Sequence, residues 1–182
     1  MKGFLVIIPC RQAKIWDRDP KRGPMPACDA YTGAPFKVNR AYAERFGERW
    51  IILSAKYGFI SPLFQIPGPY NITFKSKSTD PVSLSTLKQQ IAIQGLDHFP
   101  IVIGLGGKEY CCTIKQAFAP LSGELRFPFA GLPIGKSMQA IRCAIDDGNP
   151  FPEVGLGDVE PPHQLCDTSE RFDDRIELEG IP

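Results

Sequence analysis

The segment Pro100-Ile-Val-Ile-Gly-Leu-Gly-Gly-Lys-Glu-Tyr110 constrains the fold of this chain more than any other. Residues 101–105 form a short apolar run rich in β-branched side chains, which predicts a strand buried on both faces. Gly106 and Gly107 follow at once, and residues 108–119 have helical character. A strand that ends in paired glycines and opens into a helix brings bare backbone N–H groups to the carboxyl edge of a sheet. In α/β folds that edge is where ligands bind.

Three further apolar runs, at 4–8, 50–53 and 124–127, alternate with helical segments at 36–46, about 81–94 and about 135–145. Asp80 or Thr79 is placed to cap the second of these helices, with Pro81 in its first turn, and Gly47 to stop the first. The alternation predicts an α/β fold: a small four-stranded parallel sheet with helices on both faces, in three layers. Residues 71–74 suit a short extended piece. Residues 9–35 make a long connection of weak periodicity, the kind that usually carries function.

The 182 residues suit one α/β domain over 1–145, followed by an acidic, Pro/Gly-rich tail over 146–182 that either packs on the body or stays loose. Charge divides at the same place. The first 145 residues hold 19 Lys/Arg against 9 Asp/Glu, and the last 37 hold 2 against 11. A basic body with an acidic tail points to a nucleic-acid partner, with a solvated basic face as the plain alternative. No apolar run approaches the roughly 20 residues of a membrane span, and residues 3–8 are too short for a signal peptide. A cytoplasmic location is therefore expected. The six cysteines form no C-x-x-C pair and the two histidines, His98 and His163, are scattered. No metal site or cofactor is expected, and the thiols are expected to be reduced.

Each strand exit carries chemistry-bearing residues. After the first come Cys10, Arg11 and Lys14. A thiol there suits a pocket wall, or a nucleophile if neighbouring cations lower its pKa, and Lys14 suits a phosphate. Farther along lie Asp29, a candidate to orient water or stabilise positive charge on a sugar, and Tyr31 and Phe36, candidates to stack on a base or to fill the core. The second exit offers Lys56 and Tyr57 before Gly58, where a partly desolvated lysine can stabilise negative charge. Asn71 can read or hold a base edge. The third exit is Gly106, Gly107 and Lys108. The fourth, Gly131-Leu-Pro-Ile-Gly-Lys136, suits a backbone or phosphate grip at a helix start.

The exits at Ile101-Val-Ile-Gly-Leu-Gly-Gly107 and Gly131-Leu-Pro-Ile-Gly135, with a loop beginning at Pro9-Cys10, resemble the uracil-DNA glycosylase superfamily. The resemblance implies a four-stranded parallel sheet, a catalytic loop after the first strand and a Pro-containing loop that enters the duplex after the fourth. The superfamily's Gly-Gln-Asp-Pro-Tyr loop and His-Pro-Ser motif have no counterpart here, so their acid, base and histidine do not transfer. Pro9-Cys10-x-x-x-Lys14, Ser54-Ala-Lys-Tyr-Gly58, the segment from Leu105 to Tyr110 and Gly131-Leu-Pro-Ile-Gly-Lys136 also resemble a family of bacterial and phage proteins, and the Pro-Cys-x-x-x-Lys piece more distantly resembles the catalytic core of archaeosine synthase. Together these imply a protein acting on modified nucleobases in a nucleic acid. One version is a glycosylase that flips the base, leaves an abasic site and serves antiviral defence against phage DNA with hypermodified or glucosylated cytosine. Others are a base-modifying transferase or lyase and a sensor without turnover. On this reading Asp29, Asn71 and Lys56 are catalytic. Cys10, Lys14, Tyr31, Phe36, Tyr57, Gly106, Gly107, Lys108, Gly131 and Lys136 bind the substrate.

Overall fold

The computed structural model describes residues 3–119, 121 and 123–152. In chain order the elements are β1 (Phe4–Pro9), β2 (Met25–Pro26), α1 (Ala27–Ala30), α2 (Ala34–Phe46), β3 (Arg49–Ser54), β4 (Gly58–Ile60) and β5 (Gln65–Ile66). Then follow α3 (Leu84–Gln94), β6 (Ile101–Gly104), α4 (Lys108–Phe118), β7 (Glu124–Arg126) and α5 (Ile134–Asp147).

The main sheet has the order β4-β3-β1-β6-β7. The four expected strands are present and mutually parallel, with Ile7 opposite Ile51 on one side and Gly104 on the other. The sheet is nevertheless five-stranded and mixed, which corrects the four-stranded, all-parallel expectation. Gly58, at φ 74°, turns the chain back immediately after β3, so that Phe59 and Ile60 pair antiparallel with Leu53 and Ile52. Three residues are too few to show alternation in the sequence. The added edge is covered by α3: Gln90 accepts from the Phe59 N–H at 2.7 Å and donates to Tyr57 O, while Gln94 donates to Phe59 O. Edge groups satisfied in this way offer no template to another chain.

Alternation along β1 decides the layers. Leu5 and Ile7 join Leu87, Ile91, Ile114 and Phe118 of α3 and α4 on one face. Val6 and Ile8 join Phe36, Tyr42, Ile141 and Ala144 of α2 and α5 on the other. The chain leaves β1 through α2 to β3, then returns across β1 through α3 to β6. The connections after β1 and β6, which are neighbours, therefore run to opposite faces. Doubly wound sheets open a crevice at such a reversal, outside the carboxyl ends of the strands.

Two local signals act differently from expectation. The α3 cap is Ser83, whose hydroxyl accepts from Thr86 N at 3.1 Å, whereas Thr79 lies in a preceding 3-10 turn and Asp80 adopts a left-handed conformation. Gly47 ends α2 at φ −79°. A Cβ there would lie 2.7 Å from Ala43 O, so close approach is what selects glycine. Residues 71–74 form no strand.

The long connection 9–35 is pinned to the segment after β4. Strands β2 and β5 pair antiparallel, and the Ala27 and Cys28 N–H groups donate to Phe64 O and Pro62 O. These pairings fold both segments over the β1 and β3 exits. Beyond α5, Tyr42 donates to Pro150 O at 2.6 Å, and Phe151 packs on Phe4 and under Arg126. The start of the tail, through residue 151, thus packs on the body. The acidic tail from 153 onward, with His163 and Cys166, lies outside the described residues. Among those residues no helix is long and apolar enough to cross a membrane.

Candidate functional site

Cys10 stands at the β1 exit, its N–H bonded to Leu53 O at 2.9 Å and its Sγ 3.1 Å from the Tyr110 hydroxyl of α4. The β6 exit is pressed against it. Gly106 sits at φ 124°, and a Cβ on it would lie 3.0 Å from Pro9 and 3.3 Å from Tyr110. Glycine is thus required both by backbone conformation and by the distance between the two exits. In doubly wound sheets such a junction is where ligands bind.

Beside it runs a hydrogen-bond chain. The Tyr70 hydroxyl lies 2.9 Å from Ser54 Oγ and 2.6 Å from the Tyr31 hydroxyl. Ser54 Oγ already accepts from the Lys56 and Tyr57 N–H groups. With both lone pairs engaged, Ser54 donates its proton to Tyr70. Tyr70 then donates to Tyr31, and the Tyr31 proton is left as the free end of the chain. The chain has one direction because backbone donors set it at Ser54.

Cations frame the same aromatics. Lys14 is 5% exposed; its Nζ sits 4.4 Å from the Tyr70 ring centroid and donates to Gln12 O at 3.1 Å. Lys56, exposed, reaches the Tyr57 and Tyr70 rings at 5.1 and 5.4 Å. Tyr57 meets Tyr70 edge-on at 5.4 Å, and its buried hydroxyl has no hydrogen-bond partner among the described residues. Four of the five tyrosines, all but Tyr42, therefore gather at the β1, β3 and β6 exits. Burial, and then the neighbouring Cys10 sulfur, push the Tyr31, Tyr70 and Tyr110 phenols well above their ordinary range. Burial also lowers the pKa values of Lys14 and Arg11. A cluster of neutral phenols and cations suits a planar, electron-rich ligand or a negative charge that develops on it.

Of the residues expected at the site, Cys10, Lys14, Tyr31, Lys56, Tyr57 and Gly106 come together. Gly107 is the N-cap of α4 and Lys108 its exposed first residue, at the rim of the same exit. Asn71 is exposed and adjoins Tyr70. Asp29 turns away: its half-exposed carboxylate pairs with Arg40 of α2 at 3.5 Å. Phe36 is core, 1% exposed and tilted against Tyr31 at 5.0 Å. Tyr31 is likewise 2% exposed, so it presents its hydroxyl and has no open face for stacking. Gly131, at φ 80°, turns the chain from β7 into α5, and Lys136 lies exposed in the first turn of α5. Neither is among the residues that contact the tyrosine cluster.

Ser54, Tyr70 and Tyr110 were not anticipated. Tyr70 precedes Asn71 in a Pro/Gly-rich loop with no local signal of its own, and Tyr110 sits in the first turn after Gly107, where a side chain points back at the strand exits. The remaining thiols divide by burial. Cys111 is buried and pushed up to about 12 by burial, then by Glu109, while Cys28 and Cys143 are free and more exposed. Among the described residues no group of three or more His, Cys, Asp or Glu is placed to hold a metal ion.

The geometry defines an α/β protein with a doubly wound, mostly parallel sheet and a cation–tyrosine cluster at its winding reversal. The chain belongs to the family of unknown function DUF6884, whose model matches residues 5–142 and so spans every element from β1 into α5. It is similar to the Bacillus subtilis (strain 168) protein named "Uncharacterized protein YfjM", with 32% identity over 144 residues, 79% of this chain and 95% of that protein. No solved structure matches the chain.

Proposed function

We propose that this protein hydrolyses the N-glycosidic bond of a modified nucleobase in DNA, such as a hypermodified or glucosylated cytosine, and leaves an abasic site. The observation that carries the reading is the meeting of Tyr57, Tyr70, Lys14 and Lys56 with Cys10 and Tyr110 at the β1 and β6 exits. An extruded base is flat and has a π-face for tyrosine edges. As the C1′–N bond breaks, its electron pair stays with the base and the base becomes anionic. Water adds at C1′ and releases a proton to solvent. Lys56, exposed beside two tyrosine rings, offsets the charge on the departing base and can return a proton to it. Asn71 reads the base edge from the adjoining position. Asp29, engaged by Arg40, is not assigned to the sugar. The basic body, 19 Lys/Arg against 9 Asp/Glu over residues 1–145, tracks the phosphates.

The test is incubation with phage DNA carrying glucosylated hydroxymethylcytosine, and with unmodified DNA, followed by alkali. Breaks confined to the modified DNA, lowered about 10²-fold in Lys56→Ala, are expected. No alkali-labile sites on any modified substrate would refute hydrolysis.

A second reading is a base-modifying transferase or lyase of the archaeosine type. The contact of Cys10 Sγ with Tyr110 at 3.1 Å favours it, since a thiol at the β1 exit suits covalent chemistry. Mass spectrometry of the treated nucleic acid separates the two: hydrolysis frees a base, whereas modification changes its mass in place. Salt-sensitive binding with neither product would mark a sensor.

A further inference from the structure

Among the described residues, two cations at the β1 exit lack anions. Lys14 is 5% exposed, and its ammonium uses one of three donors on Gln12 O. The Nε of Arg11 is buried without a hydrogen-bond partner. Among the described residues neither side chain forms an ion pair. The carboxylate whose charge Lys14 feels is Asp17, which is exposed and accepts from the Lys14 backbone N–H at 2.8 Å. Arg11 senses Tyr110 and Cys10. Arg11 directly follows Cys10 in the chain, and Lys14 reaches over the Tyr70 ring. Helix α4 begins at the same exit with a bare Gly107 cap, and Glu109 is the acidic residue of its first turn.

A buried lysine and a half-buried arginine without counter-ions destabilise a fold and persist where a ligand supplies the missing charge. Three positions apart in the loop that leaves β1, Arg11 and Lys14 bring a fork and a point charge to the same strand exit, a pairing suited to phosphate oxygens. We infer that Arg11 and Lys14 form a phosphate subsite, so that the ligand at this edge is a nucleotide held by its phosphate group. The inference rests on reading the tyrosine cluster as a nucleobase site, and it adds what binds beside the base. It also orders the pocket: phosphate at the β1 exit, base against Tyr57 and Tyr70.

The test is titration calorimetry of the full chain at low salt with deoxycytidine 5′-monophosphate, deoxycytidine and inorganic phosphate. The monophosphate is expected to bind about tenfold or more tighter than either of the others. Arg11→Gln and Lys14→Met should each cut the preference over deoxycytidine to about twofold or less, while Lys75→Ala, at an exposed position, should keep it. Lys14→Met also removes a buried charge, so its ligand-free form should melt no lower than the parent. Equal binding of monophosphate and nucleoside, including none of either, would overturn the subsite. So would inorganic phosphate binding as tightly as the nucleotide, or a preference surviving in both variants. Failure of the hydrolysis assay with the phosphate preference intact would sink the glycosidic reading alone. Abasic sites without any phosphate preference would sink the subsite alone.

Discussion

The hydroxyl of Tyr70 links three segments: it takes the Ser54 proton from the end of β3 and gives its own to Tyr31 from the long first connection. Removing it leaves a donor and an acceptor unmet in a buried place, which costs about 1–3 kcal/mol. Tyr70→Phe should lower the urea midpoint accordingly without changing the slope. Tyr31→Phe keeps the acceptor at Tyr70 satisfied and removes the free end of the chain. The thiols make a second test at this scale. Cys111, buried and held protonated, should resist iodoacetamide at pH 8 in the native protein, whereas exposed Cys143 reacts. Mass spectrometry of the digested protein reads the order; modification of Cys111 before Cys143 would contradict it. At this scale the sequence showed Cys10, Lys14, Lys56 and Tyr57 as candidates because each follows a strand end. It hid the directed chain, since the direction comes from two N–H groups that meet at Ser54 only in the folded turn.

Between elements, the closeness of β1 and β6 is the feature on which the site depends. Gly106→Ala adds a Cβ 3.0 Å from Pro9 at φ 124°, a conformation that L side chains rarely adopt. The expected cost is about 1–3 kcal/mol, and the Cys10–Tyr110 contact should loosen with it. Guanidinium unfolding measures the first, and faster alkylation of Cys10 the second. The cap of α3 gives a smaller effect: Ser83→Ala frees the Thr86 N–H and should cost about 1 kcal/mol. Helices were legible from their periodicity and strands from their β-branched runs. Cap residues were not, because Asp80 and Ser83 are both good cap types three positions apart. Tertiary contacts at the end of β3, where Val82 N bonds Ala55 O, settled the choice.

Across the molecule, buried phenols set the response to alkali. Tyr31, Tyr42, Tyr70 and Tyr110 all have pKa values raised by burial above the ordinary 10.0. Between pH 10 and the native values the folded state keeps protons that the unfolded state releases. Stability therefore falls as pH rises through that window, by about 1.4 kcal/mol per phenol at one unit above the ordinary value. Lys14 and Arg11, lowered by burial, oppose this with two groups against four. Phenolate absorbance and far-UV circular dichroism should change together in one cooperative step above pH 10; gradual ionisation with retained structure would contradict the burial. At this scale the sequence also carries the charge division, and deleting residues 153–182 should raise affinity for nonspecific DNA if the acidic tail screens the basic body.

What the sequence determined by itself is the alternation of apolar runs and helical segments, and with it an α/β sheet whose strand exits share one edge. These follow from neighbours along the chain: β-branching, periodicity and glycines directly after strands. Tertiary structure alone decided the fifth strand, the removal of Asp29 to Arg40 and the meeting of Tyr31 with Tyr70 and of Cys10 with Tyr110, 39 and 100 residues apart. The physical reason is that such contacts depend on where the winding of the sheet reverses and on which loops pair above it. Both are properties of the assembled layers that no local pattern encodes.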